Sequence, residues 1–255
     1  HMQQIDYYEH LIQNHNQFVR VVSHDLRSPL TSMLGFASML ESAQVGGLNE
    51  KQTYYLHKVL SGINHITQLV ENIQDAGRFD PETGFYELER NVTDIIELID
   101  HTVANFLPSA EQHNIQLQSD VNDDLPIIYV DVGMLERALN NLMDNSMKYA
   151  SEGGAVTVGA SVQDQQIVVW VRDKGYGIRE EHQAKLFDRH FRVRRQEHQR
   201  VKGSGLGLFI VHNAVTNVLA GTITLASDPG EGTSFDLRIP TIAPTAGTNH
   251  RVLES

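Results

Sequence analysis

The feature that most constrains this chain is an apolar heptad repeat between Val19 and Leu40. Its members recur at alternating steps of three and four, in the order Val19, Val22, Leu26, Pro29, Met33, Phe36 and Leu40. This spacing predicts one long helix with an apolar row, the pattern of helices that pack against other helices. If Val19 is position a, His24 occupies position f, furthest from the row, so its imidazole is predicted to be exposed. Pro29 predicts a kink, because proline lacks an amide hydrogen and crowds the preceding turn.

A second amphipathic helix is predicted from 50 to 76, after a break at Gly46 and Gly47. Its apolar row contains Leu56, Val59, Ile63, Ile66, Val70 and Ile73, and Leu60 and Leu69 widen it. Two such helices joined by a short glycine-containing loop predict an antiparallel hairpin. One hairpin leaves much of a wide apolar stripe exposed, so we predict a homodimer whose two hairpins form a four-helix bundle. The alternative is an ordinary hairpin that caps the second domain.

The first apolar row continues weakly upstream, through Ile5, Tyr8, Ile12 and His15. We therefore assign residues 1–78 to a coiled-coil extension and the dimerisation hairpin. The opening His1-Met2 resembles a cloning remnant, which predicts that the chain is a piece of a longer protein with a membrane or sensory part.

The composition excludes several functional classes. The formal net charge is -12, so the chain has no general electrostatic attraction to nucleic acid or anionic lipid, and we predict no nucleic-acid partner. The absence of cysteine excludes disulfides, thiolate catalysis and cysteine-based metal sites. No apolar run approaches the ~20 residues that span a bilayer, and no signal peptide is recognisable, so we predict a cytoplasmic location.

A change in composition at 77–84, with two glycines and Asp80-Pro81, predicts a domain boundary. We assign 84–240 to a second domain and 241–255 to a loose tail. Helices are predicted at 92–113, 132–150 and 205–219, and strands at 85–88, 115–121, 127–130, 155–162, 166–172, 222–226 and 234–239. This mixture predicts an α+β sandwich, with the sheet on one side and the helices on the other.

Polar side chains border the apolar stripe of the predicted helix 132–150. Asn141, Asn145 and Lys148 are spaced by four and three residues, so they share one helix face. Amide oxygens are suitable magnesium ligands and an ammonium offsets phosphate charge, so this face is a candidate magnesium-phosphate site. Tyr149 is placed to pack on a flat ring. The alternative is an ordinary solvated helix face.

Two glycine-containing segments are further candidates. Asp173-Lys174-Gly175-Tyr176-Gly177 follows a predicted strand, where the carboxylate can accept a hydrogen bond from a buried amino group and the glycines permit close backbone approach. The alternative for this segment is a plain turn. Gly203-Ser204-Gly205-Leu206-Gly207 leads into a predicted helix, whose first amides can bind a phosphate.

Between these segments, 178–202 is predicted to form a flap. Phe187 and Phe191 are its candidate anchors. Its candidate phosphate-binding residues are Arg192, Arg194, Arg195, Arg200 and Lys202. For any single arginine, a solvated surface loop is the alternative.

Taken together and in this order, the segments resemble those of sensor histidine kinases. SHDLRSPL is similar to the phosphoacceptor segment of that family, and LNNLMDNSMKYA to its asparagine segment. DKGYGI, LFDRHFR and GSGLGL are similar to its first glycine, phenylalanine and second glycine segments. The resemblance covers about 19–240. It implies a Bergerat-type ATP-binding domain, ATP and magnesium as cofactors, autophosphorylation, and transfer of the phosphoryl group to an Asp of a response-regulator receiver domain.

The resemblance also implies roles for single residues. His24 would be phosphorylated, and Asp25 would orient its imidazole and take its proton. Ser28 stands where relatives position a water for dephosphorylating the partner, which makes phosphatase activity an open question. For ATP, Asn145 would bind magnesium beside Asn141 and Lys148, Asp173 would bond the adenine amino group, Gly175 and Gly177 would shape the pocket, and Gly203, Gly205, Leu206 and Gly207 would border the triphosphate.

Two departures from the family pattern stand out. His190 replaces a usual aromatic residue, which predicts a different anchoring of the flap, and Ala220-Gly221 replaces Gly-Gly, which we expect to be harmless. Two other functions remain open. Clamp ATPases of the gyrase, Hsp90 and MutL group share the nucleotide segments but phosphorylate no histidine. A dimeric scaffold without catalysis would bind regulators without turnover.

Overall fold

The structure is a computed structural model that describes residues 2–42, 46–78, 89–122, 124–150, 153–193 and 204–240. Within the helices, the side chains of residues 2–20, 24, 65, 68 and 71–78 lie outside this description. The chain divides into two compact units, residues 1–85 and 86–255.

The first unit contains two long helices, α1 (Met2–Glu41) and α2 (Glu50–Arg78). They pack against each other, which confirms the predicted hairpin. A reciprocal cap starts α2: the Gln52 amide donates to Asn49 Oδ1 over 3.0 Å, and the Asn49 amide donates to Gln52 Oε1 over 2.9 Å. This capping box satisfies two amides that a helix start otherwise leaves without partners. Helix α1 continues through Pro29, so the proline does not end it.

The two helices of the hairpin meet along a row beside the predicted heptad. Leu30, Ile63 and Val70 form its buried cluster, and Leu34 packs against them. The heptad members Val22, Leu26, Met33, Phe36 and Leu40 are instead 37% to 70% exposed. On α2, Tyr55, Val59 and Ile66 form a second row that is 47% to 65% exposed. Each helix therefore has one apolar row inside the hairpin and another on its surface.

The second unit is an α+β sandwich, as predicted. Its strands are β1 (Asn91–Thr93), β2 (Gln116–Val121), β3 (Ile128–Val130), β4 (Ala155–Gln163), β5 (Gln166–Asp173), β6 (Thr222–Asp228) and β7 (Gly232–Pro240). Its helices are α3 (Ile95–Gln112), α4 (Val132–Tyr149), α5 (Glu180–Gln183) and α6 (Gly207–Asn213), and a π-helical turn (Ala214–Val218) extends α6. The five-stranded sheet has the order β2-β4-β5-β7-β6, and β1 pairs with β3 separately. Only β2 and β4 are parallel; the other described pairs are antiparallel.

The core of the sandwich lies between α4, α6 and the centre of the sheet. Leu135, Leu139 and Leu142 recur along one face of α4 and are fully buried. The central strand β5 is buried over most of its length, as expected for a strand with neighbours on both edges and helices on one face. Packing of α4 against β5 therefore fixes the positions of their ends relative to each other. The candidate residues Asn145, Lys148 and Asp173 lie at these ends.

Two predicted helices have different bounds. The helix predicted at 92–113 was wrong at its start, because Val92 and Thr93 belong to β1. Asp94 caps α3, and its Oδ1 accepts from the Ile96 amide over 2.9 Å. The helix predicted at 205–219 starts only at Gly207, since Gly205 has a φ of +72°. Its last part is π-helical rather than α-helical.

The pair Ala220-Gly221 is less neutral than expected. Ala220 has a φ of +53°, in the left-handed region that disfavours a side chain with a Cβ. The strand predicted at 85–88, most of the predicted boundary at 77–84 and the tail 241–255 lie outside the described residues. Among the described helices, none combines the length and apolar character that a membrane crossing needs.

Candidate functional site

The asparagine face of α4 lies against the start of α6. Asn141 is buried, and its Nδ2 donates to the Arg137 carbonyl over 2.9 Å, which directs Oδ1 away from the helix axis. An ideal Cβ on Gly207 would lie 3.0 Å from Asn141 Oδ1 and 3.9 Å from Asn145 Nδ2. Glycine at 207 thus leaves space between the two carboxamides and the first turn of α6. The structure therefore brings together the asparagine segment and the second glycine segment.

Lys148 and Tyr149 have partners of their own. The Lys148 ammonium forms an ion pair with Asp144, one turn earlier on α4. Burial raises the pKa of the Tyr149 phenol, and the Arg192 guanidinium, which hydrogen-bonds to it, opposes the rise. Arg192 therefore reaches α4 from the middle of the predicted flap. In this structure the Lys148 charge is offset by Asp144, so a phosphate would have to share it.

Asp173 lies at the end of β5 and is 9% exposed. The Ser146 hydroxyl, on the buried face of α4, donates to Asp173 Oδ2 over 3.3 Å. The other oxygen, Oδ1, is buried and accepts no hydrogen bond from any residue that the structure describes. A buried acceptor without a donor is costly, so Oδ1 is an acceptor available to a ligand.

Burial also shifts the titration of this carboxyl. It raises the pKa of Asp173 from 3.8 to about 6, although hydrogen bonding from Ser146 and from the Gly175 and Thr233 amides opposes the rise. Among the described residues, Oδ1 itself has no donor within hydrogen-bond distance and angle. The carboxyl is therefore mostly ionised at pH 7 and becomes neutral as the pH falls through 6.

Glycines let three backbone segments meet beside Asp173. Gly175 pairs with Ala150 at the end of α4, and a Cβ at 175 would lie 2.7 Å from Asp173 Oδ1. Gly177 has a φ of +60°, and a Cβ there would collide with the Asp228 carbonyl. Larger residues at these two positions would fill the space in front of the carboxylate or push the β6–β7 turn away.

Three hydroxyl residues near Asp173 were not among the residues predicted from the sequence. Ser146 contacts the carboxylate directly, and Thr233 pairs with Asp173 between β5 and β7. The Ser227 hydroxyl lies 3.0 Å from Thr233 Oγ1 and accepts from the Ile178 amide over 2.9 Å. Only helical spacing from Asn145 could have drawn attention to Ser146, and nothing in the sequence pairs it with a residue 27 positions away.

The middle of the predicted flap contacts the glycine segment that follows it. The His190 amide donates to the Gly205 carbonyl over 3.0 Å, and His190 Nδ1 lies 3.4 Å from the Ser204 carbonyl oxygen. A Cβ on Gly205 would lie 2.8 Å from the His190 carbonyl carbon, so only glycine permits this approach. His190 thus contributes backbone bonding, with a φ of +62°, where an aromatic side chain was expected.

The predicted anchors of the flap are packed as expected from their apolar character. The Phe187 ring lies 5.2 Å from the His212 ring and 6.5 Å from the Phe235 ring, measured between centroids. The Phe191 ring lies 6.2 Å from the His182 ring. Gly203 and the basic residues at 194, 195, 200 and 202 lie outside the described residues.

In the other unit, the candidate phosphoacceptor segment is helical throughout. His24, Asp25 and Ser28 all lie in α1. Asp25 and Ser28 are exposed, and the side chain of His24 lies outside the described residues. The Ser32 hydroxyl donates to the Ser28 carbonyl over 3.1 Å, a local bond of the helix. The described side chains contain no cluster of three or more His, Asp and Glu residues suited to a metal ion.

Two protein families match successive parts of this chain. Residues 130–243 match the histidine kinase-, DNA gyrase B- and HSP90-like ATPases. Because that family includes enzymes of several kinds, the match to the first unit decides between them. Residues 14–82 match the His Kinase A (phospho-acceptor) domain.

The chain belongs to the sensor histidine kinases. It is similar to the alginate biosynthesis sensor protein KinB of Pseudomonas aeruginosa, with 28% identity over 88% of this chain and 37% of that protein. Among solved structures, it is similar to full-length ShkA in complex with AMPPNP, with a TM-score of 0.65 and 27% identity over 89% of this chain and 47% of ShkA. It shares its fold with the histidine kinase ThkA in complex with the response regulator protein TrrA, with a TM-score of 0.58 and 20% identity over 89% of this chain and 61% of ThkA. The chain thus spans little more than a third of the length of KinB.

Proposed function

We propose that this histidine kinase binds ATP, phosphorylates its own His24 and passes the phosphoryl group to an aspartate of a response-regulator receiver domain. The observation that carries the proposal is Asp173 Oδ1 at the buried end of β5, which accepts no hydrogen bond from the part of the chain that the structure describes. The exocyclic amino group of adenine is a donor that satisfies it. The ATP analogue in the ShkA structure supports the same ligand class.

The phosphate end of ATP would lie toward the start of α6. Gly207 leaves space beside Asn141 and Asn145, and the amide oxygen of Asn145 is a suitable magnesium ligand. When bound, magnesium would neutralise phosphate charge during phosphoryl transfer. Lys148 would add positive charge at this end by sharing its ion pair with Asp144, while Gly203, Gly205 and Leu206 would border the triphosphate.

At the base end, the pocket has a buried edge and glycine-lined walls. Gly175 and Gly177 keep the backbone close to the space in front of Asp173. Tyr149, at the end of α4, would pack on the adenine ring, which requires Arg192 to release or follow its hydroxyl. The site would therefore hold the base through shape and one charged acceptor.

In the transfer step, a nitrogen of the His24 imidazole would form a bond to the γ-phosphorus. The bond from that phosphorus to the β–γ bridging oxygen would break, and ADP would leave. Asp25 would accept a hydrogen bond from the other ring nitrogen, which selects the reactive tautomer and takes up the proton that the ring loses. In the second step the phosphoryl group would pass from the imidazole to the receiver carboxylate.

The hairpin would carry out this chemistry as a homodimer. Its two uncovered apolar rows, on α1 and α2, are those that a four-helix bundle of two hairpins would bury. Position f of the heptad would leave His24 outside the bundle core. The response regulator in the ThkA complex supports a receiver domain as partner. Ser28, exposed one turn after His24, would place its hydroxyl to position a water that dephosphorylates the receiver domain. The kinase and phosphatase activities would both be cytoplasmic.

Labelling with γ-³²P ATP and magnesium tests the proposal. We expect wild type to acquire acid-labile, base-stable label that transfers to an added receiver domain, and His24→Gln to acquire none while still binding ATP. His57→Gln is the matched control, because His57 also lies on the hairpin, where it pairs with Glu41.

The outcomes separate the competing functions. Label that persists in His24→Gln contradicts His24 as the acceptor. ATP hydrolysis without labelled protein would favour a clamp ATPase, and the absence of both activities would favour a scaffold. Mixing His24→Gln with a nucleotide-defective subunit would also show whether one subunit phosphorylates the other.

A further inference from the structure

Ser146 occupies a position that the proposed ATP site does not by itself explain. It is 2% exposed, faces the sheet from α4 and donates to Asp173 Oδ2 over 3.3 Å. A buried hydroxyl requires a partner, and a carboxylate oxygen is a strong one. The contact joins the helix that bears the asparagines to the strand that bears the carboxylate.

The contact distinguishes the two oxygens of Asp173. Oδ2 is held by Ser146, whereas Oδ1 is buried without a donor in the described part of the chain. Gly175 keeps the space in front of Oδ1 clear, since a Cβ there would lie 2.7 Å from it. The carboxylate therefore presents a single acceptor in a fixed direction.

We propose that Ser146 is a positioning residue that holds Asp173 as a pure acceptor and so makes the nucleotide site select adenine over guanine. The inference rests on the proposed ATP site. Adenine presents an amino donor at its 6-position, whereas guanine presents a carbonyl acceptor there. An ionised carboxylate can only accept, so at this position it pairs with the 6-amino group of adenine and repels the 6-carbonyl oxygen of guanine.

The protonation state of Asp173 explains why a hydroxyl is needed. A neutral carboxylic acid has an O–H group that can donate to the guanine carbonyl. Burial favours the neutral form and raises the pKa of Asp173 to about 6, while the Ser146 hydrogen bond favours the ionised form. Without the hydroxyl, the pKa of Asp173 would rise further, and more of the site would be neutral at pH 7.

Other charges near Asp173 are the same in wild type and in a Ser146 variant. The ionisable side chains on the elements that meet it are Glu136, Arg137, Asp144, Lys148, Tyr149, Arg172, Lys174, Tyr176, Arg179, Asp228, Glu231, Asp236 and Arg238. A difference in pH profile between the two proteins therefore isolates the hydroxyl.

The test is to measure dissociation constants of the whole chain for ATP and GTP, with magnesium, between pH 5 and pH 8. We expect Ser146→Ala to reduce the preference for ATP over GTP by about tenfold or more at pH 7, the equivalent of one hydrogen bond. The pH at which preference falls should shift upward in this variant. Ser146→Thr, which keeps the hydroxyl, should restore both the preference and the pH profile.

A control variant removes a buried hydroxyl elsewhere in the same unit. Thr102 is 1% exposed on α3, and its hydroxyl donates to the Leu98 carbonyl over 2.8 Å. Thr102→Ala should lower stability while leaving the nucleotide preference unchanged. If Ser146→Ala does not fold, Ser146→Cys keeps a weak donor of similar size and should give an intermediate preference.

The outcomes are distinct. A wild type that does not bind ATP at all overturns the proposed function together with this inference. A wild type that prefers ATP, alongside Ser146 variants with the same preference and the same pH profile, overturns only the role of Ser146.

Discussion

The two units of this protein bury their apolar residues to very different extents. In the hairpin, the described side chains of Leu30, Ala37, Ile63 and Val70 are buried, whereas the described heptad side chains of α1, Phe36 among them, are exposed. In the sandwich, α4 and the central strand β5 contribute many side chains with no exposed surface, Leu135, Leu139 and Ile167 among them. The sandwich therefore buries its apolar core within one chain, whereas the hairpin leaves one apolar row of each helix exposed.

This difference separates two sources of stability. Each Å² of apolar surface removed from water contributes roughly 25 cal/mol, so the sandwich is stabilised by contacts within its own chain. The hairpin leaves Phe36 70% exposed and Tyr55 65% exposed, so much of its stabilisation depends on a second surface. The proposed nucleotide-binding residues lie on the unit with the buried core, and the candidate phosphoacceptor lies on the unit with the exposed apolar rows.

The largest expected effect comes from placing a charge in the exposed row of the hairpin. Ile66→Glu should weaken self-association at least about 100-fold, because the dimer would have to bury a carboxylate without a partner. Val162→Glu is the matched control: Val162 is 46% exposed on the sandwich and Ile66 is 47% exposed on the hairpin. Analytical ultracentrifugation of both variants measures the difference.

Equal dimer dissociation constants for the two variants would contradict the proposed difference between the units. The exposed apolar residues of the hairpin would then matter no more for self-association than those of the sandwich. A monomeric wild type would contradict the dimer itself. The sandwich should keep its thermal transition in Ile66→Glu, because its core lies elsewhere.

A smaller effect is expected at Asp173, whose buried carboxylate lowers the stability of the sandwich at neutral pH. The pKa of Asp173 is raised from 3.8 to about 6, so the folded state holds this proton more tightly than the unfolded state. Stability therefore falls as the pH rises from about 4 through 6, by about 3 kcal/mol at most. Asp173→Asn should recover about 1–2 kcal/mol of unfolding free energy at pH 7 and almost none near pH 4.

Urea unfolding at several pH values measures this change, with the fluorescence of Trp170, the single tryptophan of the chain, as the probe. ATP binding should be lost in the same variant. A stability difference that does not depend on pH would show that the carboxyl titrates normally in the folded protein.

The smallest expected effect concerns the turn after the π-helical segment. Ala220→Gly should stabilise the sandwich by about 0.5–1 kcal/mol, because the φ of +53° at this position costs a residue with a Cβ. Gly221→Ala should act in the opposite direction, since its Cβ would collide with the Arg238 carbonyl. Thermal denaturation of both variants gives the two signs, and a destabilised Ala220→Gly would contradict the strain at this turn.

The sequence was informative where one periodic pattern governs many residues. The heptad between Val19 and Leu40 predicted a helix correctly, yet periodicity alone does not decide which neighbouring row α2 covers. The row through Leu30 became the buried one because the partner helix packs there. Hydrophobic spacing defines a stripe, and the approach of the second helix, which no local pattern encodes, divides it.

Helix caps were predicted less well than periodic helices, and contacts between residues far apart in the chain were not predicted. Asp94 is a capping residue whose presence would have separated β1 from α3. The contacts of Ser146 with Asp173 and of His190 with Gly205 join residues far apart in the chain. Such pairs depend on how the helices, strands and loops are arranged around the sheet. The sequence predicted the class of fold but not this arrangement.

The bond between His190 and Gly205 has a consequence for how this region can vary. The bond holds the point at which the chain leaves the sandwich close to the point at which it returns. Lengthening a closed loop costs only about 0.6 kcal/mol for each doubling. Insertions between residues 190 and 205, including a peptide tag or a conformational reporter, should therefore leave the sandwich folded.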